Sequence, residues 1–412
     1  MSGAGPSGGA AEQPQRSALV ALVATLAIQM YTSLATTAPA VLAPSLAADL
    51  GITPTWIGVF VSIIYGGAML GSLSCPGFIA RYGAIRVSQA CVLLCAVGIA
   101  LVGVLPGAAV RALAGAAFIM GLGYGPITPA SSDVLIRTTP SHRMGLTFSI
   151  KQTGVPAGAA LAGAILPALA LLAGWRGSFA LIAVAGLFVI AASQPTRRAL
   201  DVHRRPGPSF SLGAIVTPLK VLVRTPKLLE LSLAGFAFAG VQTCLSSFLV
   251  VYLKESLQWS LVSAGLALTC ASFSAVVGRI AWGLVADRSL PANRVLAIIG
   301  MLAALCGVAL AFAAPEWPTW VMLLLAALYG ATAIGWNGVQ LAELARRAPA
   351  GTAGAVTGAS GFISFGGVFV GPLLFAALTG VSDSYRAGFL VCAAVSAIAG
   401  ATLLHRGRQA AQ

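Results

Sequence analysis

Carboxylates are the scarcest chemistry in this sequence: ten aspartates and glutamates among 412 residues, with only 8% of the chain charged in either sense. Soluble domains carry about 25% charged residues, so a water-exposed globular surface is excluded. No acid/base pair or activated nucleophile can be drawn from so few acids, and the phosphate loop G-x-x-x-x-G-K-[S/T] is missing. Histidine is nearly absent, and His142, His203 and His405 fall in polar segments where they read as solvated surface groups. The seven cysteines (Cys75, Cys91, Cys95, Cys244, Cys270, Cys306 and Cys392) lie in or beside apolar runs without metal-ligand spacing, so they behave as small apolar residues. These absences point away from an enzyme, a metal centre and a bound cofactor.

Apolar length is what the chain has in abundance: 58% hydrophobic residues and a mean hydropathy of +0.93. A membrane crossing needs about 20 apolar residues. Windows of that order cover 18–47, 55–79, 87–106, 110–135, 145–173, 177–193, 229–252, 262–285, 294–313, 318–345, 353–379 and 386–404, six in each half. The long first, fifth and tenth windows require tilt, bending or overrun. With the N-terminus placed in the cytoplasm, 18 of the 24 lysines and arginines fall on the cytoplasmic side, 4 on the other, and Lys151 and Arg279 inside spans. That asymmetry places both termini on the cytoplasmic face of the inner membrane.

The expected organisation is a disordered tail over 1–16, an N-terminal bundle over 17–193, a basic cytoplasmic linker over 194–228, a C-terminal bundle over 229–405 and a tail over 406–412. Within the linker, residues 212–223 form either an amphipathic helix on anionic headgroups or a solvated loop. The net charge of +14 is taken up by these short loops, so membrane lipid is the implied partner and nucleic acid is not. A monomer is expected.

The two halves echo each other. Trp175-Arg176-Gly177-Ser178-Phe179 returns as Tyr385-Arg386-Ala387-Gly388-Phe389; Gly58 and Gly265 lie 207 residues apart, as do Ala80-Arg81 and Asp287-Arg288. Repeats of this length in so apolar a chain indicate a transporter of two similar helical bundles with its site between them. At the end of the eighth window, Gly283-Leu284-Val285-Ala286-Asp287-Arg288 resembles the G-x-x-x-D-R/K signature of the major facilitator superfamily. The first copy keeps Arg81, Gly83 and Arg86 but has Pro76 and Ala80 at the glycine and aspartate positions. The resemblance implies an all-α membrane protein of twelve helices in two six-helix bundles, with Gly283, Asp287, Arg288, Arg81 and Gly83 in a conformational latch. Without the acid at position 80, the first latch is expected to be weak or rebuilt. The stretch from Arg279 to Ala286 is also similar to the eighth helix of monocarboxylate and oxalate porters, which implies carboxylate binding by Arg279. The acid that precedes this arginine by one turn in proton-coupled porters is Ala275 here.

An ionisable residue inside a span is costly and demands a named partner. Lys151 either pairs with Asp133 or faces the cavity. Arg279 either snorkels to the interface or reaches across it, where with Lys151 it would grip an anion between the bundles. Asp133 lies four residues before Arg137 and Glu343 three before Arg346, so intrahelical pairing competes with proton coupling at either acid. Buried amides and phenols need partners too, which makes Gln29, Tyr31, Tyr124, Gln152, Gln242, Asn337 and Gln340 pocket candidates. Glycine and proline interrupt the fourth window at Gly125-Pro126 and punctuate the fifth (Gly154, Pro156, Gly158) and the eleventh (Gly361, Gly366, Gly367, Gly371, Pro372). The functional expectation is a gradient-driven carrier of a small organic anion, a monocarboxylate first, with a coupled proton as its companion. The alternatives are proton-coupled efflux of an amphipathic compound and a non-transporting membrane sensor.

Overall fold

A computed structural model describes residues 9–104, 110–139, 144–201, 219–349 and 353–409 of the chain. Among these residues the structure is helical throughout, with no strand. Ten segments are long and apolar enough to cross a bilayer. One of them, Ile150–Leu200, turns at Gly174, whose φ of 69° and ψ of 170° break the helix into two crossings. The helix Trp56–Tyr82 adds a further, shorter apolar crossing, bringing the spans to twelve. In chain order we number them span 1 (Ala18–Val41), 2 (Trp56–Tyr82), 3 (Ala84–Val104), 4 (Ala112–Leu135), 5 (150–173), 6 (175–200), 7 (Pro226–Glu255), 8 (Leu261–Arg288), 9 (Ala292–Ala311), 10 (Thr319–Leu344), 11 (Val356–Ser382) and 12 (Tyr385–His405).

The repeat seen in sequence is a repeat of packing. Span 1 lies along span 5 as span 7 lies along span 11; spans 2 and 4 pair as 8 and 10 do; spans 3 and 6 pair as 9 and 12 do. Small residues set these approaches, as close helix crossing in a membrane requires. A Cβ at Gly121 would stand 1.9 Å from the Ile64 carbonyl oxygen, and one at Gly330 would stand 1.9 Å from that of Ala271. Outward-facing side chains such as Leu172, Phe188, Leu305 and Val381 are large, apolar and exposed, as lipid contact demands.

The halves join along spans 2 and 11 and spans 5 and 8, and the joint has the same approximate twofold character. Ser62 Oγ donates to the Phe369 carbonyl at 2.7 Å, and Thr269 Oγ1 donates to the Ala160 carbonyl at 3.1 Å. Beside them, Gly58 abuts the Pro372 carbonyl and Gly265 abuts that of Gly163. These contacts form a seam near the ends of the spans opposite the chain termini.

Several boundaries move. Helix begins at Gly9, inside the segment expected to be a disordered tail, and residues 1–8 lie outside the described set. Span 6 continues to Leu200 through Pro195 and Arg197-Arg198. Most of the 212–223 segment lies outside the described residues; its end, 219–223, is helical, and Leu222 is buried against the C-terminal bundle. At the other end, helix runs on to Gln409, into the segment expected as a tail. The eleventh span is one uninterrupted helix, Ala353–Ser382, through Gly361, Gly366, Gly367, Gly371 and Pro372, which punctuate its sequence. Its glycines serve close packing: a Cβ at Gly367 would meet the Phe236 carbonyl oxygen at 1.9 Å.

Candidate functional site

Three helix breaks converge at mid-span. Span 4 breaks between Tyr124 and Ile127, span 10 between Ala333 and Asn337, and span 5 at Thr153. In each, backbone carbonyls lose their helical donors. The clearest case is Gln152, whose carbonyl would be served by the N–H four residues on, a position held by Pro156. That freed carbonyl accepts from Arg279 Nη1 at 2.8 Å, across the interface between the bundles. Arg279 Nε donates at 3.3 Å to the carbonyl of Ile334, at the span 10 break. One guanidinium therefore ties together two breaks, one from each half. Only two of its five N–H donors are used in these bonds.

Lys151 sits two residues before the same break and is 1% exposed. Its Nζ donates to Gln152 Oε1 at 3.3 Å and to Thr128 Oγ1, just past the span 4 break, at 3.5 Å. Asp133 does not serve it: that acid pairs with Arg137 at 2.5 Å. Among the described residues no carboxylate forms an ion pair with Lys151 or Arg279. Two cations thus converge on Gln152 without a countercharge, where a buried charge is expensive unless compensated.

Aromatic groups close the site. Tyr124 and Tyr65 meet edge to face with ring centroids 5.7 Å apart, and Tyr65 reaches Phe365 of span 11 at 6.3 Å. Tyr65 was not among the residues singled out from the sequence, because one more tyrosine in an apolar helix carries no local signal.

The remaining candidates divide. Gln29 is 1% exposed, lies against Gly154 at the span 5 break, and its Oε1 has no hydrogen-bond partner. Gln242 Oε1 accepts from Trp336 Nε1 at 3.2 Å, which places a span 7 amide at the span 10 break. Asn337 opens the second half of span 10 and is partly exposed. Tyr31 lies elsewhere: it packs inside the N-terminal core against Gly186 and Ala96. Gln340 donates to the Leu231 carbonyl at 2.8 Å and is a bond between spans 7 and 10. Glu343 pairs with Arg346 at 3.0 Å and Arg347 at 2.6 Å, the intrahelical arrangement its spacing allows.

The latch residues stand at the ends of the spans nearest the termini. Asp287 reaches Arg346 at 3.8 Å with both side chains more than half exposed, and Arg288 is exposed. A Cβ at Gly283 would meet nothing within 4 Å, so close packing does not require this glycine. Arg81 lies over the Tyr82 ring at 5.4 Å. Position 80 holds no acid, but a carboxylate from another helix lies close by at the start of span 3. Asp201, at the end of span 6 and 3% exposed, accepts the N–H groups of Ile85 and Arg86 at 2.9 and 3.0 Å. Gly83, at φ 91°, makes room for it. A carboxylate 116 residues from Ile85 in sequence thus caps the start of span 3.

Known proteins place this architecture. The chain is 31% identical over 231 residues to the probable nitrate/nitrite transporter NarK2 of Mycobacterium tuberculosis, covering 55% of this chain and 56% of that one. The chain thus spans about half the length of that relative. Two solved structures share the fold. A bacterial homologue of the human lysosomal transporter Spinster, in an inward-facing and occupied conformation, aligns with TM-score 0.73 at 16% identity over 96% of this chain and 97% of its own. A mutant of the nucleoside transporter NupG aligns with TM-score 0.72 at 11% identity over 94% and 99%. Residues 23–372 match the Major Facilitator Superfamily model, and with twelve spans in two repeated bundles the chain belongs to that superfamily of transporters.

Proposed function

We propose that the protein is a secondary transporter of a small planar anion, a monocarboxylate being the organic member of that class, working across the inner membrane by alternating access of its two bundles. The observation that carries this reading is the meeting of Lys151 and Arg279 at Gln152 with no carboxylate partner. A guanidinium accepts a carboxylate or nitrate through paired N–H donors, while an ammonium adds a point charge. The relative from Mycobacterium tuberculosis, named for nitrate and nitrite, supports the anion class.

Among the described residues, the hydrogen bonds and close glycine approaches that join the halves run from Gln152 and Arg279 toward the ends opposite the termini. With the termini cytoplasmic, this is a state closed to the outside. Arg279 then has a double role. Empty, it binds a carbonyl of the opposite half; loaded, an anion competes for the same donors and loosens that tie. Binding the substrate thereby alters the balance between states, which is the differential affinity that alternating access requires.

The test is ligand-induced thermal stabilisation of the purified protein, since ligands of the native state raise its apparent stability. Small monocarboxylates, nitrate and nitrite should raise the midpoint, and Arg279→Lys should retain part of the response. Stabilisation by amphipathic cations alone, with no response to any small anion, refutes the reading.

A further inference from the structure

A second site opens on the outside of the N-terminal bundle. Between spans 2, 3, 4 and 6 lies a cleft of ≈650 Å³, lined by Gly71, Cys75, Phe78 and Tyr82 of span 2, by span 3 residues between Arg86 and Leu94, by Leu122 and Pro126 of span 4 and by Ile190 of span 6. That volume falls in the range of about 300–1,000 Å³ typical of ligand clefts. The floor is apolar, with Cys75 and Cys91 buried at 1% and 3% exposure. The rim is the lipid-facing surface: Phe78 and Tyr82 stack with ring centroids 6.3 Å apart, and they and Leu93 are about half exposed.

Charge is placed at one end only. Arg86 lines the cleft near the end of the bundle that carries the termini, and its side chain is exposed. Among the described residues no carboxylate pairs with its guanidinium, and no acid lines the cleft. Arg81 adds a second cation nearby, over the Tyr82 ring. The carboxylate of Asp201 is turned onto the backbone amides of Ile85 and Arg86.

We propose that this cleft binds an anionic phospholipid, its phosphate on Arg86 and an acyl chain running between spans 2 and 3 to the floor. An apolar slot that opens sideways into hydrocarbon suits a chain, and an unpaired arginine at headgroup depth suits a phosphate. The floor has a further property. Cys75 Sγ donates to the Pro126 carbonyl at 3.6 Å and Ser72 Oγ to that of Gly125 at 3.4 Å, so the chain would lie on the back of the span 4 break. The front of the same break carries Thr128, which holds Lys151. The lipid is therefore a support for the polar site from outside, independent of which substrate that site takes.

Native mass spectrometry of the purified full-length protein, supplemented with phosphatidylglycerol or phosphatidylcholine, tests this. The wild type should retain phosphatidylglycerol in preference to phosphatidylcholine. Arg86→Gln should lower its retention by about fivefold, the effect of one arginine at an anionic surface. Ala90→Phe, which fills the cleft and leaves the arginine, should lower it as well. Arg294→Gln, at the repeat-equivalent exposed arginine of span 9, should leave it unchanged. Equal retention of both lipids, unchanged retention in Arg86→Gln and Ala90→Phe, or an equal loss in Arg294→Gln would each overturn the proposal.

Discussion

Replacing Asp201 by alanine removes the carboxylate that receives the Ile85 and Arg86 amides at the start of span 3. Hydrogen bonds to a charged group contribute about 1.5–3 kcal/mol each, but the two amides are not equally dependent on this acceptor. Ile85 is fully buried, so its N–H is left without water; Arg86 is exposed, so its N–H is not. The loss should therefore approach that of one buried bond plus a helix cap, on the order of 2–3 kcal/mol. Asparagine keeps an acceptor oxygen and should lose about half as much. Gly83 provides an internal control. At φ 91° and ψ 154° a side chain costs about 1–3 kcal/mol on its own, and its Cβ would stand 2.3 Å from Asp201 Cγ, displacing the acid. Part of the Gly83→Ala penalty is thus the loss of Asp201's bonds. Unfolding of the solubilised single and double variants should show the double costing less than the sum, with a coupling of about 0.5–3 kcal/mol. Additive penalties, or an Asp201→Ala variant as stable as wild type, would refute the cap.

Three further outcomes follow from the geometry. Combining Lys151→Met with Asp133→Asn should not restore uptake lost in Lys151→Met, because Asp133 is paired with Arg137; a rescued double variant would show that the two do act together. Asp287→Asn should change unfolding stability by less than about 1 kcal/mol, as exposed pairs do, and by less than Asp201→Ala; the same unfolding series checks the order. Gly163→Leu should prevent closure of the seam, since even a Cβ there would lie 2.5 Å from the Gly265 carbonyl oxygen; labelling of a cysteine introduced at Thr269 should then rise from the outer side.

Much of the fold was readable because a bilayer imposes simple demands. Apolar length, spacing of basic loops and Gly125-Pro126 gave the spans and one of their breaks, and the rule that an intramembrane charge needs a purpose led to Lys151 and Arg279. What escaped was whatever depends on the rotation of a helix about its axis. Tyr31 and Gln340 are polar and deep, as expected, yet they face neighbours within their own bundles. Tyr65 faces the seam and was overlooked. Asp201 escaped because a carboxylate in a basic linker looks solvated until span 6 is seen to extend to Leu200 and carry it beneath span 3. In the eleventh span the glycines allow either a bend or close packing, and the structure shows packing against span 7 through an unbroken helix.

At the seam between the bundles, main-chain carbonyls recur as the contact and hydrogen-bond partners. Gly58 and Gly265 press on carbonyls, and Ser62 and Thr269 donate to carbonyls. An acceptor that belongs to the backbone cannot be deleted by mutation, and a glycine at contact distance can change only by gaining bulk. Variation at these positions is therefore lopsided: nearly every substitution loosens the closed state and almost none tightens it. The two hydroxyls are the adjustable elements, and serine or threonine at positions 62 and 269 is where a lineage could retune how long the carrier dwells closed without redesigning its helices.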